Sequence, residues 1–330
     1  MAKDDKILII ADDRVGTYSQ AVALAEESGL KYQIIQQKYN FLKFLPNFIF
    51  SKSPIRITKN SLQLLTNLDF TPNYIISAGR KSAPTALFLQ SFYQKKTQVK
   101  AKIIQILKPE INFNYFDFVL LPFHDNIPKK FQKNQNIIKF IGSLSKNLKN
   151  ISKNLNEDFA SKIKNFTKPI ILVLVGGNTK NYKFPLNSAK NLLNIVKKFT
   201  QDFQSSTHIL NSRRTPSEIN EFFLKNCGNS IFFYDFNLIK NHNPYYDFIF
   251  NCDLIIASGD SISMISEACS LGKKIIIFND GFITSKKHQK FIEFLLNNNY
   301  ALSPLSTLDE INEFKTKTLN ECEKICKIIF

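Results

Sequence analysis

The sequence has no tryptophan, four histidines and ten glycines in 330 residues, and its five cysteines form no C-x-x-C pair. Those cysteines, Cys227, Cys252, Cys269, Cys322 and Cys326, are scattered and odd in number. With so few histidines their spacing offers no zinc site, and reduced structural thiols are expected. Apolar runs are short: IILVLV at 170–175 is among the longest, far from the roughly 20 residues that span a bilayer. The opening MAKDDKILIIADD flanks its apolar stretch with acids and has no small-residue cleavage site after it. No signal peptide is expected, and the chain is expected to be cytoplasmic, with a peripheral place on the inner face of the membrane as an extension. Helix-turn-helix, RNP and zinc-finger signatures are missing, so nucleic-acid binding rests on charge alone and is set aside.

Acids are the other scarcity. Lys and Arg number 44 against 27 Asp and Glu, a formal charge of +17. The excess is uneven: residues 1–150 carry 22 basic and 10 acidic residues, residues 151–330 carry 22 and 17. Such a first half suits an anionic partner, a membrane face or a phosphorylated ligand, although a Lys/Asn/Ile-rich coding bias would give the same excess.

What is present is an alternation of short apolar runs and amphipathic stretches. KILIIA (6–11), YIISA (74–78), KIIQIL (102–107) and FDFVLLP (116–122) read as strands, with helical patterns at 19–28 and 82–93 between them. The pattern restarts with PIILVLVGG (169–177), THILNS (207–212), SIFFYD (230–235), DLIIAS (253–258) and KIIIF (274–278). Strands apolar on both faces, separated by helices, imply parallel sheets covered on both sides. The expected fold class is α/β, two Rossmann-like doubly wound domains facing a cleft. We read 1–150 as the first domain, the lysine-rich 151–168 as a linker and 169–305 as the second domain. Residues 306–330 are expected to form a helix that packs back across the join.

In open parallel sheets ligands sit beyond the carboxyl ends of strands, so the polar turns there carry the functional candidates. In ASGDSISMISEACSLGKKIIIF (257–278), Asp260 or Ser261 can cap a helix whose free N–H groups attract phosphate. Glu267, further along that helix, can accept the two vicinal hydroxyls of a ribose; the plainer alternative is a capped core helix with Glu267 in solvent. VGGNTKNY (175–182) has paired glycines, Gly176 and Gly177, that let backbone approach a ligand, and Lys180 to neutralise phosphate, but it is not a P-loop. In NSRRTPSEI (211–219), Thr215 at an N-cap and Pro216 at N1 have a structural reading. Arg213 and Arg214 do not, and suit diphosphate or carboxylate. The first half places Asp13, Arg14, Gly79, Arg80, His124 and Asp125 at strand ends. His124 beside Asp125 could serve as a general base, or fill a turn. The segment KYNFLKFLPNFIFSKSPIRI (38–57) mixes rings and cations, as an interfacial segment does; a buried excursion is the alternative.

AGRKSA, PFHD, GG followed by a lysine, SRRTP, NPY (243–245) and DSISMISEACSLGK occur in an order that resembles the plant mitochondrial-fission, or elongate-mitochondria, family and its bacterial relatives, catalogued with glycosyltransferases. The resemblance covers roughly 5–300. It departs at the first turn, where the family's GHxxQ-like sequence is DRVGTYSQ, keeping Asp13, Arg14, Gly16 and Gln20. The 257–278 stretch is also similar to the nucleotide-sugar site of GT-B glycosyltransferases and UDP-N-acetylglucosamine 2-epimerases. By that resemblance Ser261 and Ser263 face phosphate and Glu267 faces ribose. Asp260 and Met264 lie in the same motif, and Gly176, Gly177, Lys180, Arg213 and Arg214 close the donor side. The expectation is a glycosyltransferase using a nucleotide-diphosphate sugar, most simply a UDP-sugar, without a metal or tightly bound cofactor. Asp13 or His124 would take the proton of an acceptor that could be lipid-linked at an anionic membrane surface. The alternatives are a non-catalytic membrane-associated adaptor and a nucleotide-sugar epimerase.

Overall fold

A computed structural model of the chain describes residues 5–12, 15–47, 51–145, 157–179, 182–238 and 243–330. The chain divides into two compact units, Met1–Asn147 with Asn320–Phe330, and Leu148–Leu319.

Unit 1 runs β1 (Lys6–Ala11), α1 (Val15–Ser28), β2 (Lys31–Gln36), α2 (Lys59–Thr66), β3 (Tyr74–Ala78), α3 (Ala83–Thr97), β4 (Lys102–Ile106), β5 (Phe118–Pro122) and β6 (Ile137–Phe140). These form one six-stranded sheet of order β2-β1-β3-β4-β5-β6, with every pairing parallel. The apolar runs read from the sequence are its inner strands: β3 is buried throughout, and β1 and β4 beyond their first residue. Side chains alternate across a strand, so Leu8 and Ile10 enter one core layer with Ile75, Ile103 and Leu121, while Ile7 and Ile9 enter the other with Ile76, Ile104 and Leu120. The edges, β2 and β6, fall outside those runs. KYQIIQ is exposed at five of six positions, with only Ile35 buried, so at this edge both faces of the strand reach solvent.

Unit 2 runs α4 (Glu157–Lys164), β7 (Ile170–Leu174), α5 (Leu186–Asp202), β8 (Ser206–Leu210), α6 (Ser217–Asn226), β9 (Ile231–Tyr234), α7 (Tyr245–Asn251), β10 (Leu254–Ser258), α8 (Ile262–Ser270), β11 (Lys274–Phe278), α9 (Lys286–Asn297) and α10 (Leu308–Glu313). Its parallel sheet has the order β11-β10-β7-β8-β9. Strand order reverses between β7 and β10, which places the topological switch point at the ends of those two strands, after Leu174 and Ser258. The expected linker 151–168 thus contains α4, which lies against α7.

The segment 306–330 is two helices rather than one. The short α10 ends at Glu313, an extended stretch follows, and α11 (Glu321–Ile329) returns to unit 1. Its buried Cys322, Ile325 and Ile329 recur at helical spacing and pack in the layer that holds Ala21, Leu24 and Ala25 of α1. Two hydrogen bonds fix its start: Ile141 N–H donates to Glu321 Oε2 at 2.9 Å, and Cys322 Sγ to the Ser145 carbonyl at 3.3 Å. All five cysteines are free thiols, and burial pushes Cys252, Cys269 and Cys326 up to about 12.

Candidate functional site

The switch point of unit 2 gathers three turns. The β7 turn, Val175–Asn178, is laced to the β10 turn by side chains of the latter. Gly176 N–H donates to Ser258 Oγ at 2.8 Å, Gly177 N–H to Asp260 Oδ2 at 2.9 Å, and Ser258 Oγ to Asp260 Oδ1 at 2.7 Å. The β8 turn joins from the other side. Asn178 N–H donates to the Arg214 carbonyl at 2.8 Å, and the Thr215 hydroxyl donates to the carbonyl of Gly176. Both glycines are required by proximity. A Cβ on Gly176 would lie 2.0 Å from Asp260 Oδ2, and one on Gly177 2.2 Å from the Arg214 carbonyl carbon.

Asp260 is buried at 4% exposure. Burial pushes its carboxyl above the usual range, and the Ser258, Gly177 and Arg214 donors pull it back. Arg214 reaches it at 3.3 Å with its own side chain 40% exposed. Both carboxylate oxygens are therefore engaged within the protein, and Asp260 ties the turns together instead of capping α8. Ser261 sits at the N-cap of α8 but makes no side-chain cap hydrogen bond. Among the described residues the first-turn N–H groups of α8 thus have no side-chain acceptor, in a helix whose N-terminus opens at the switch point. Ser263, in that first turn, is exposed, and Met264 is half-buried.

Thr215 is likewise not the cap of α6. That helix starts at Ser217 with Pro216 as its N-cap, because the Thr215 hydroxyl is committed to the β7 turn. The two arginines then differ. Arg214 is held by Asp260, and by the Asn178 carbonyl at 3.4 Å. Arg213 is exposed and makes no hydrogen bond or ion pair with a described residue.

Glu267 is half-buried on α8, and its Oε2 accepts a 2.6 Å hydrogen bond from the Tyr245 hydroxyl. Burial raises the Glu267 carboxyl above the ordinary value, and the tyrosine offsets part of that; burial and the neighbouring carboxylate hold the Tyr245 phenol well above its own. Tyr245 opens α7 as the last residue of the NPY motif. The motif was visible in the sequence; its partnership with a residue 22 positions later was not. Asp280, just after β11, carries no signal in the sequence: its Oδ2 is buried with no hydrogen-bond partner among the described residues.

The candidates of unit 1 are less concentrated. His124 is buried in the turn after β5, where Asp125 N–H donates to the Pro122 carbonyl at 2.9 Å. At the β1–β3 switch point the buried carboxylate is that of Asp12, and a Cβ on Gly79 would lie 3.6 Å from it. Gln105, fully buried, donates to the carbonyls of Gly79, Ile106 and Leu107 and shapes that end of the sheet. Asp13, Arg14 and Lys180 lie outside the described residues. Among the described residues no group of three or more His, Cys, Asp or Glu is placed to hold a metal ion, and no helix is long and apolar enough to cross a membrane.

Two doubly wound parallel sheets, of six and five strands, in one chain of this length define the GT-B fold. Among solved structures the chain is similar to the UDP-GlcNAc 2-epimerase of Neisseria meningitidis, solved with UDP-GlcNAc bound, at a TM-score of 0.51 and 16% identity over 98% of each chain. MurG of Acinetobacter baumannii gives 0.52 and 12% identity over 98% of this chain and 99% of that one. At such identities the likeness is one of fold. The chain belongs to the mitochondrial fission ELM1 family, whose model matches residues 15–330. An uncharacterised protein of Rickettsia prowazekii (strain Madrid E) is 34% identical over 98% of this chain and 97% of its own length. The mitochondrial fission protein ELM1 of Arabidopsis thaliana is 25% identical over 62% of this chain, and the match spans 51% of the plant protein.

Proposed function

We propose that unit 2 binds the nucleoside diphosphate of a nucleotide sugar, and that the protein is a glycosyltransferase that moves the sugar to an acceptor. One observation carries this reading. The uncapped N-terminus of α8 lies at the switch point of its sheet, and the Tyr245–Glu267 pair stands further along the same helix. The α8 N–H groups, Ser261 and Ser263 suit a diphosphate. Glu267, with one oxygen taken by Tyr245, has the other for ribose hydroxyls. Arg213 supplies a cation, free of any described partner, to a leaving diphosphate. Asp260, Gly176, Gly177 and Arg214 hold the turns at the spacing the ligand needs. Met264, half-buried in the same first turn, is assigned a place beside the ligand, and Lys180 is assigned to phosphate from its place in the sequence. In this reading the acceptor is handled by unit 1, with Asp13, His124 and Asp125 as the candidate groups for its proton.

Support comes from the fold neighbours, one solved with UDP-GlcNAc, which makes uridine nucleotides the first ligands to try. The same neighbour favours an epimerase as the alternative within enzymes, which product analysis distinguishes. The plant relative's name favours a second class, a non-catalytic adaptor in membrane fission. Thermal unfolding against nucleoside diphosphates and UDP-sugars, on the wild type and Glu267→Ala, tests the binding reading. A ligand at about 100 times its Kd adds roughly 2.7 kcal/mol, several degrees in Tm. Stabilisation of the wild type and not of the variant supports a donor site. No shift in either at millimolar ligand rejects it in favour of the adaptor.

A further inference from the structure

Between β2 and α2 the chain makes an excursion, described over residues 37–47 and 51–58, that the nucleotide site does not use. Its neck is closed by an antiparallel bridge between Tyr39 and Ile57, with Asn40 N–H donating to the Arg56 carbonyl and Thr58 N–H to the Lys38 carbonyl, each at 2.9 Å. Inside the neck Arg56 is 3% exposed, and its guanidinium donates to the carbonyls of Leu45 (2.5 Å) and Pro46 (2.6 Å) and to Asn47 Oδ1. Asn47, equally buried, donates to the carbonyls of Arg80 and Pro109. The root is thus fixed to the turns that follow β3 and β4.

The tip is the opposite. Phe41–Phe44 is a single 3-10 turn, capped by Asn40 Oδ1 accepting from Leu42 N–H at 2.9 Å, with no buried residue. Phe41 is 81% exposed and Phe44 76%, and the Lys43 Nζ lies 5.1 Å from the Phe44 ring centre. A clasped root keeps the two rings from folding back under the surface, so their apolar area stays in water unless something outside covers it. Along the sequence the turn lies in a basic stretch: residues 28–68 contain six Lys and Arg and no Asp or Glu.

We propose that this turn is a membrane-docking element that inserts Phe41 and Phe44 at the headgroup–acyl boundary of an anionic bilayer. Rings that stand this far out of the surface fit a fluid medium that closes around them. Lysine beside them fits phosphate headgroups, the arrangement by which interfacial segments bind. The acid-free stretch around the turn supplies the complementary charge. Lipid binding by this turn does not depend on the nucleotide-sugar reading, and Glu267→Ala leaves it unchanged.

Co-flotation of the full-length protein with phosphatidylcholine vesicles, with and without phosphatidylglycerol, tests the proposal. The wild type is expected to partition onto the phosphatidylglycerol vesicles. Phe41→Ser/Phe44→Ser lowers that partition about 100-fold, some ten-fold per ring, with Tm unchanged because both rings are already exposed. Lys43→Glu weakens binding at low salt and less at high salt. Wild type that stays with the unbound protein on both vesicles, as a surface for a protein partner would, overturns the proposal. So does a double-phenylalanine variant that floats as well as the wild type, which would leave charge alone as the cause.

Discussion

Replacing Gly176 by alanine puts a methyl group where the Asp260 carboxylate sits. The added carbon would lie 2.0, 2.3 and 2.4 Å from Oδ2, Oδ1 and Cγ, whereas ordinary contact begins at 3.4 Å. The carboxylate must therefore swing away by more than an ångström. Doing so forfeits its bonds from Gly177 N–H, Ser258 Oγ and Arg214. A buried charge that loses its partners costs about 3–5 kcal/mol, a large part of the 5–15 kcal/mol typical of a domain. Asp260→Ala removes the same bonds and leaves two buried donors unpaired, at about the same cost. The double variant Gly176→Ala/Asp260→Ala has no carboxylate to displace, and the new methyl occupies vacated space. Its cost should be close to that of Asp260→Ala alone, a coupling of about 3 kcal/mol against additivity. Urea unfolding followed by far-UV circular dichroism reads this directly, since the chain has no tryptophan to report by fluorescence. Gly177→Ala provides the contrast. Its methyl meets the backbone of Arg214 and Thr215 at 2.2–2.4 Å, which no change at residue 260 relieves. Additive costs for the Gly176/Asp260 pair, within about 0.5 kcal/mol, would refute the account of how the turns are joined.

The remaining predictions concern other sites. His208 is fully buried on β8, stacked on Phe166 at 4.3 Å, and burial lowers its pKa from 6.5 to about 4. The unfolded chain binds the extra proton first, so the stability this neutral ring contributes is complete above pH 6.5 and falls as pH drops toward 4. The loss approaches about 3 kcal/mol and should vanish in His208→Phe, as urea midpoints at pH 7.5 and 4.5 will show. Tyr245→Phe removes the donor that stabilises the Glu267 carboxylate, so the pKa of Glu267 rises further. Nucleotide affinity, measured by calorimetry across pH, should then fade at a higher pH on acidification than in the wild type. Arg56→Ala opens the neck of the 37–58 excursion at a cost of about 3 kcal/mol, and amide exchange should accelerate at Asn40 and Leu45 first.

Much of the architecture was legible because a parallel sheet buries both faces of its inner strands. IILVL and LIIAS could be little else, and the polar turns after them had to be strand ends. KYQIIQ and IIKF were not legible, since edge strands carry the polar residues of an ordinary loop. At the site, the residue types were readable and their partners were not. Asp260 looked like a helix cap, and Thr215 another, but each is spent on a turn that becomes its neighbour only once β7 lies between β10 and β8. Tyr245 and Glu267 meet because β10 pairs with β7, which brings α7, packed on β7, beside α8, packed on β10, a fact of topology. His208 is not legible because a lone histidine in an apolar strand gives no periodic signal; its four aromatic neighbours come from β9, α7 and the turn after α4.

The return of α11 to unit 1 sets an order of events during synthesis. Unit 2 is encoded wholly inside unit 1, so the layer formed by α1, β1 and β3 lacks its cover until residues 321–329 have been made. At 5–20 residues per second the ribosome needs roughly 10–40 s to travel from residue 145 to residue 329. Throughout that interval the apolar surface awaiting Cys322, Ile325 and Ile329 is open on the nascent chain. A chain stopped after Leu319 would carry a finished second unit and a first unit with a permanently bare face, which marks it for chaperones and proteases rather than for partial function.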